Sequence, residues 1–407
     1  MSEMTSRQRV TLALDHIEPD RVPFDCTFTH AAYQRLSRHL GQTPDPRVTP
    51  GNPSLNITPP VAFLQELGVD LCYIGLGDPS GRPAFEVGMP VYTDEWGIGY
   101  RRIETTTGVD YVVVSPPLAQ ARLQDLDDYP WPDPDDPGLT TGLAEKARRL
   151  AQSTEFALVG KFNTALFEHA SLLRGMERLY LDLVEDPEFV GALLDKLTDL
   201  AIRQIRHGLK ACGPYMQILR LAGDDLGGQQ GPLISPRMFR RLVKPHFNRL
   251  YQEAKRLFLD FNPAGKLMAH TDGDVYPLIN DYIEMGLDVL NPVQPFVAEM
   301  DHARLKREYG QQLSFHGGID IQHTLPFGIP EEVHDQVRRT LGCLAPGGGY
   351  VLAPTHYLLP DVPPENILAL RDTVLESGRY PLRVEVYSDN LINRRNTEMN
   401  HQQGENT

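Results

Sequence analysis

Short apolar runs recur along the chain, each followed by a longer stretch in which apolar positions return every three or four residues. The runs cover 21–28, 71–75, 156–162, 217–222, 266–271, 288–293, 313–317 and 350–354. Most are apolar at nearly every position, the pattern of strands buried on both faces of a parallel sheet. Helical spacing fills 176–184, 187–207, 236–258, 275–285 and 330–344. Asp186 before Pro187 marks a helix start, a capping side chain ahead of proline at the first helical position. A first helix is expected at 6–14, with Ser6 as its cap. Eight strands alternating with helices predict an α/β fold of the (β/α)8 TIM barrel type. The alternative, a doubly wound open sheet, lacks a Gly-x-Gly-x-x-Gly after an early strand. Gly347, Gly348 and Gly349 precede a strand, which suits a tight turn at the barrel end away from the chemistry.

The rhythm breaks between residues 85 and 117, where 86–92, 97–104 and 111–114 predict a small antiparallel excursion. The proline- and aspartate-rich segment 127–137 then reads as a returning loop. Residues 1–384 are expected to form one barrel domain, and the polar, Asn- and Gln-rich 385–407 a disordered tail. With 39 Lys and Arg against 54 Asp and Glu, the net charge of −15 argues against nucleic acid as a partner. Apolar runs fall far short of the roughly 18 residues that a membrane span needs. The first seven residues lack the apolar core of a secretory signal. Cys26, Cys72, Cys212 and Cys343 form no CxxC pair, which excludes a zinc ribbon and suits reduced thiols. A cytoplasmic enzyme is expected, with a homodimer as the form of any self-association.

Barrel chemistry sits at the C-terminal ends of strands. There the run at 266–271 leads into His270, Thr271 and Asp272. Side chains two apart on a strand share a face, so His270 and Asp272 can serve one metal ion. The competing use is structural, a helix cap at Asp272 or Asp274. The last strand adds His356, and two imidazoles with one carboxylate suit catalytic zinc or non-haem iron. Without a metal, the same groups suit acid–base work. At 219–225, Asp224 and Asp225 follow Arg220, with Gln229 shortly after. One aspartate is expected to face the pocket, the other to cap a turn or pair with Arg220. His316 and Asp320 fall near the rim, His316 being as readily structural as functional.

Several segments, taken in order, form a recognisable set. They are Glu-Met-Gly-Leu-Asp-Val-Leu-Asn at 284–291, Phe-His-Gly-Gly-Ile-Asp at 315–320, and Val-Leu-Ala-Pro-Thr-His-Tyr-Leu-Leu-Pro at 351–360. Pro-Glu-Asn-Ile at 364–367, Arg174-Gly175, Ile234-Ser235-Pro236 and Lys244-Pro245 fit as well. Together they resemble the uroporphyrinogen decarboxylase superfamily, which also contains zinc-dependent corrinoid and thiol methyltransferases; the likeness runs from about residue 5 to 380 and implies a barrel with a deep cleft. Decarboxylases of the family carry an arginine-rich motif after the first Pro-Val. Here that stretch is Val-Pro-Phe-Asp-Cys-Thr-Phe-Thr-His at 22–30, with Phe28 about where a key arginine stands. A phenyl ring cannot replace a bidentate cation. The cleft is therefore expected to lack basic residues for a many-carboxylate tetrapyrrole, unless Arg101, Arg102 or Arg220 lines it. His356 does match a histidine of the decarboxylases' closing motif.

The methyltransferase branch holds zinc with a His-x-Cys pair and a closing cysteine. In these places stand His270, Asp272 and His356, a harder donor set that leaves an ion more Lewis acidic. The resemblance thus implies methyl transfer from a small methylated donor to a corrinoid carried by a partner protein, with a divalent metal, zinc foremost. Asp224, Asp225, His316 and His356 are the expected catalytic groups. Phe28, His30, Arg220, Gln229 and Asp320 are the expected substrate contacts. The alternatives are decarboxylation of uroporphyrinogen or a related carboxylated tetrapyrrole, and a non-catalytic corrinoid- or tetrapyrrole-binding protein.

Overall fold

A computed structural model describes residues 3–383 apart from 83, 163 and 222. The tail expected at 385–407 lies outside the described residues. Seven parallel strands form the main sheet, and three antiparallel strands form a separate one. In chain order they are β1 (Leu71–Gly75), the excursion β2 (Val91–Thr93), β3 (Gly99–Thr105) and β4 (Gly108–Ser115), then β5 (Ala157–Lys161) and β6 (Ile218–Leu221). After them come β7 (Lys266–His270), β8 (Val289–Asn291), β9 (Ser314–Ile319) and β10 (Tyr350–Pro354). The main sheet runs β10-β9-β8-β7-β6-β5-β1, neighbours in sequence being neighbours in space, with helices between them. This is a TIM-barrel-like α/β fold.

Residues 21–28, read as one strand, add no strand to the main sheet: Phe24 and Phe28 bridge singly to Leu352 and Leu358, and Phe28–Thr29 pairs with Asn56–Ile57 in a two-stranded antiparallel sheet. The cause is local. Pro23 has no N–H to offer, and the amides of Phe24 and Cys26 donate to the carboxylates of Asp70 and Asp25 instead of to a ladder. The segment still closes the ring. Leu352 N donates to Pro23 O at 2.9 Å, Asp25 N to Leu352 O at 2.9 Å, and Asp70 N to Phe24 O at 2.8 Å.

The helix at Ser6–Leu14 is capped by Thr5 rather than by Ser6. Gln8 N donates to Thr5 Oγ1, and Gln8 Oε1 accepts from Thr5 N, so two free amides are satisfied reciprocally. Its Val10 and Leu14 plug the barrel base, packing against Leu71, Val159, Ile218, Met268, Val289 and Val351. The helix expected at 236–258 is in three pieces, with a π-helical Phe239–Val243 ahead of Lys244–Leu259. Pro245 explains the break, because its ring would clash with the carbonyl four residues earlier. Asp186 caps Pro187–Cys212 as expected, its Oδ1 accepting from Phe189 N at 3.1 Å. Gly347, Gly348 and Gly349 all take positive φ at the base. A Cβ on Gly348 would sit 2.7 Å from Ile17 N, so a side chain there is excluded.

The interior is layered. Above the apolar plug, two residues further along their strands, stand Tyr73, Lys161, Arg220, His270 and Asn291. Strand alternation puts each on the same side as the apolar residue beneath it. The polar layer is therefore a consequence of where each strand ends.

Candidate active site at the barrel mouth

The cleft at the C-terminal ends of the strands is lined by Asp25, Tyr73, Arg220, His270, Asn291, His316, His356 and Tyr357, among others. His270, Asp272 and His356 each bring a ligand-type atom into one place, all within 4.8 Å of one another. His270 Nε2 lies 3.9 Å from Asp272 Oδ1 and 3.9 Å from Asp225 Oδ1. Zinc–ligand bonds of about 2.0–2.2 Å require these groups to close by a modest rotamer adjustment. Asp225 Oδ1 also accepts from Asp272 N at 3.0 Å, tying the loop after β6 to the loop after β7.

A hydrogen-bonded chain behind His270 sets which of its nitrogens faces the cleft. Tyr73 Oη donates to Asp25 Oδ2 at 2.6 Å, and His316 Nε2 lies 2.9 Å from the same oxygen. A carboxylate can only accept, so His316 Nε2 carries hydrogen and, in the neutral ring, Nδ1 is a lone pair. Asn291 Nδ2 donates to that Nδ1 at 2.7 Å. Asn291 Oδ1 then accepts from His270 Nδ1 at 2.7 Å. His270 Nε2 is left without a proton, its lone pair turned toward Asp272, Asp225 and His356. A metal-ligating histidine needs this tautomer, held by a partner on its other nitrogen.

Electrostatics point the same way. Burial, with Arg220 and His356 nearby, holds His270 well below the ordinary histidine range, and burial also lowers His356. Both rings are neutral and able to ligate at pH 7. Desolvation and the Asp225 carboxylate push Asp272 up to about 7. The same two causes push Glu168 up to about 7, although its side chain reaches solvent. Acids crowded beside neutral imidazoles are stabilised by a cation among them. Burial would raise the Tyr357 hydroxyl, but Lys161 and Arg220 outweigh it and hold it below its usual value.

Other expected contacts do not reach the cleft. Asp224 is buried, and its oxygens accept from the amides of Leu166 and Glu168 at 2.9 Å, bracing the start of the helix Phe167–Arg174. Its expected proton role has no geometric basis, whereas Asp225 stands at the mouth. Asp320 is likewise a brace, accepting from the amides of Gln322, His323 and Thr324. Phe28 is a core residue, edge-on to Phe63 with centroids 5.6 Å apart, so it touches no substrate. His30 meets Gln34 on its own helix, and Gln229 is exposed and contacts Gln322. Arg101 and Arg102 belong to the excursion strand β3. The cleft nevertheless holds cations, contrary to the expectation from Phe28: Arg220 lines it, and Lys161 Nζ donates to Tyr357 Oη at 2.6 Å.

Asp25, Tyr73, Asn291, Lys161, Tyr357 and Glu168 had no assigned role in the sequence reading. Asn291 and Lys161 end their strands, so the strand-end rule that found His270 applies to them equally. Asp25 and Glu168 carry no such signal.

The His/Asp/His cluster and the polar relay beneath it stand at the strand ends, the face on which TIM barrels carry their functional residues. The chain belongs to the uroporphyrinogen decarboxylase (URO-D) family, whose sequence model matches residues 102–377. It is similar to the uroporphyrinogen decarboxylase of Syntrophotalea carbinolica, 28% identical over 47% of this chain and 50% of that protein. To that of Hahella chejuensis it is 26% identical over 47% of this chain and 49% of that protein. The chain spans about half the length of these curated relatives. A methyltransferase from Methanosarcina mazei shares the fold, with a TM-score of 0.62 at 19% identity over 92% of this chain and 99% of that one. No helix among the described residues is long and apolar enough to cross a membrane.

Proposed function

We propose that this protein is a metal-dependent methyltransferase that moves a methyl group from the oxygen or nitrogen of a small donor to a corrinoid carried by a partner protein. The observation that carries this reading is the convergence of His270, Asp272 and His356 within 4.8 Å at the strand ends. The donor set fits a divalent ion, zinc foremost. His270, through its bare Nε2, Asp272 and His356 would hold it. Such an ion supplies Lewis acidity at the methyl-bearing heteroatom.

The remaining work falls to the chain's own groups. The relay from Asp25 through His316 and Asn291 holds the His270 ring in place. Asp225 fixes the backbone beside Asp272. Glu168, pushed up to about 7, is part protonated at neutral pH and returns a proton to the donor heteroatom as the methyl group leaves. Decarboxylation of a tetrapyrrole is the rival reading. Two cleft cations are few for a substrate with many carboxylates, and Phe28 is buried where the family's arginine is expected.

The test is a pair of assays on the full chain, zinc-loaded and chelator-treated. Methylation of cob(I)alamin by methoxylated and N-methylated donors, followed by its absorbance, is expected only with zinc. Metal-independent decarboxylation of uroporphyrinogen without methyl transfer would overturn the proposal.

A further inference from the structure

Arg220 is 6% exposed and lines the cleft, yet among the described residues its guanidinium has no hydrogen-bond acceptor and no carboxylate within ion-pair distance. Other well-buried arginines of this protein are fully engaged. Arg9 and Arg21 meet Asp70 at 2.7 and 2.6 Å, and Arg174 meets Asp182 at 2.7 Å. A buried cation without a partner is costly, and a fold keeps one where a ligand completes it.

The neighbouring strand repeats the pattern. Lys161 is the register partner of Arg220 across β5 and β6, so both side chains project to the same side. Its ammonium donates to Tyr357 Oη and lies 5.1 Å from the centre of that ring, with no ion pair among the described residues. Two adjacent cations, neither in a contact ion pair among the described residues, thus face the cleft beside His270 and His356.

We infer that Arg220 and Lys161 form an anion subsite, and that the small donor carries a carboxylate held there while its methyl-bearing group reaches His270, Asp272 and His356. The inference rests on the proposed function for where the reacting group lies, but not for the binding itself. A monoanionic carboxylate suits the site better than phosphate. The planar guanidinium matches a carboxylate through two parallel hydrogen bonds. Glu168, Asp225 and Asp272 at the same mouth repel a second negative charge.

The experiment is calorimetric titration of the chelator-treated full chain with 4-methoxybenzoate, its primary amide, and inorganic phosphate. The benzoate is expected to bind, and the amide and phosphate to bind at least about 10-fold more weakly. Arg220→Gln should weaken benzoate binding by about 10- to 100-fold, and Arg220→Lys by less. Arg220→Met gives a readout that a structural arginine would move the other way. It should raise the melting temperature by about 1–3 °C, because an unpaired buried cation is removed. Equal binding of acid and amide, undiminished binding by Arg220→Gln, a preference for phosphate, or destabilisation by Arg220→Met would each overturn the subsite. Binding that needs zinc and ignores Arg220 would assign the carboxylate to the ion. The subsite would then fail while the metal reading stands.

Discussion

The two ends of the barrel use the same residue types in opposite ways. At the base, Asp70 is fully buried and receives Arg9 at 2.7 Å, Arg21 at 2.6 Å and Phe24 N at 2.8 Å. Each charge of this cluster has an opposite charge or an amide against it. At the mouth, Arg220 is nearly as buried and has no contact ion pair among the described residues, while Glu168, Asp225 and Asp272 crowd one another beside neutral imidazoles. The base is saturated and the mouth is not. Saturated charge holds the N-terminal segment and its helix onto the sheet. On the proposed function, the unsaturated charge is stability given up for binding, the usual division between the two faces of a barrel.

That contrast is most sharply broken at Asp70. Asp70→Ala strands the buried Arg21 guanidinium and takes one of two carboxylates from Arg9, which keeps Asp20, and should cost about 3–5 kcal/mol, read by chemical denaturation. A loss below about 1 kcal/mol would mean that the base is not held by this cluster. Next in size comes the mouth itself. His270→Ala or His356→Ala should remove the bound ion and lower methyl transfer by more than about 100-fold, while the melting temperature moves little. A large fall in stability would make these histidines structural, like Asp70.

Asn291→Leu should act more gently, because the three ligands remain while the His270 ring loses the partner that fixes its tautomer. Zinc affinity is expected to fall by about 10- to 100-fold, measured by competition with a chromophoric chelator. Unchanged affinity would remove the relay from the account.

The smallest effect belongs to the excursion, which packs beside the mouth through Trp96 against His169, centroids 4.2 Å apart. Desolvation, opposed by the bonds from Ile98 N, Trp96 N and Tyr100 Oη, pushes Asp94 up to about 6. Its folded value lies above the unfolded one, so the folded chain binds more protons between about pH 4 and 6. Stability from this group is therefore present at the acid end of that window and lost as pH rises through it. Asp94→Asn keeps the oxygen acceptor and should flatten that slope in melting temperature measured from pH 4 to 7. An unaltered slope would place its origin elsewhere.

The barrel was legible because its strands are nearly all apolar and its helices keep a clear period; β1 and β10 were read to the residue. Residues 21–28 misled because their composition is that of a strand while two carboxylates divert their amides. The cluster His270, Asp272 and His356 was legible from strand ends and two-residue spacing alone. What hid Asp25 and Glu168 is that their roles arise from distant partners, Asp25 meeting His316 and Glu168 lying near Asp225. Asp224 and Asp320 misled for the converse reason. An aspartate just past a strand is as apt for backbone amides as for substrate, and only geometry separates the two uses.

Metal content tests the central claim most directly. The purified full chain, loaded with zinc and dialysed, should retain about one ion per chain by elemental analysis, and His270→Ala, folded by circular dichroism, should retain none. A wild-type chain that holds no zinc, cobalt or iron after such loading would contradict the account, as would a His270→Ala variant that keeps its ion.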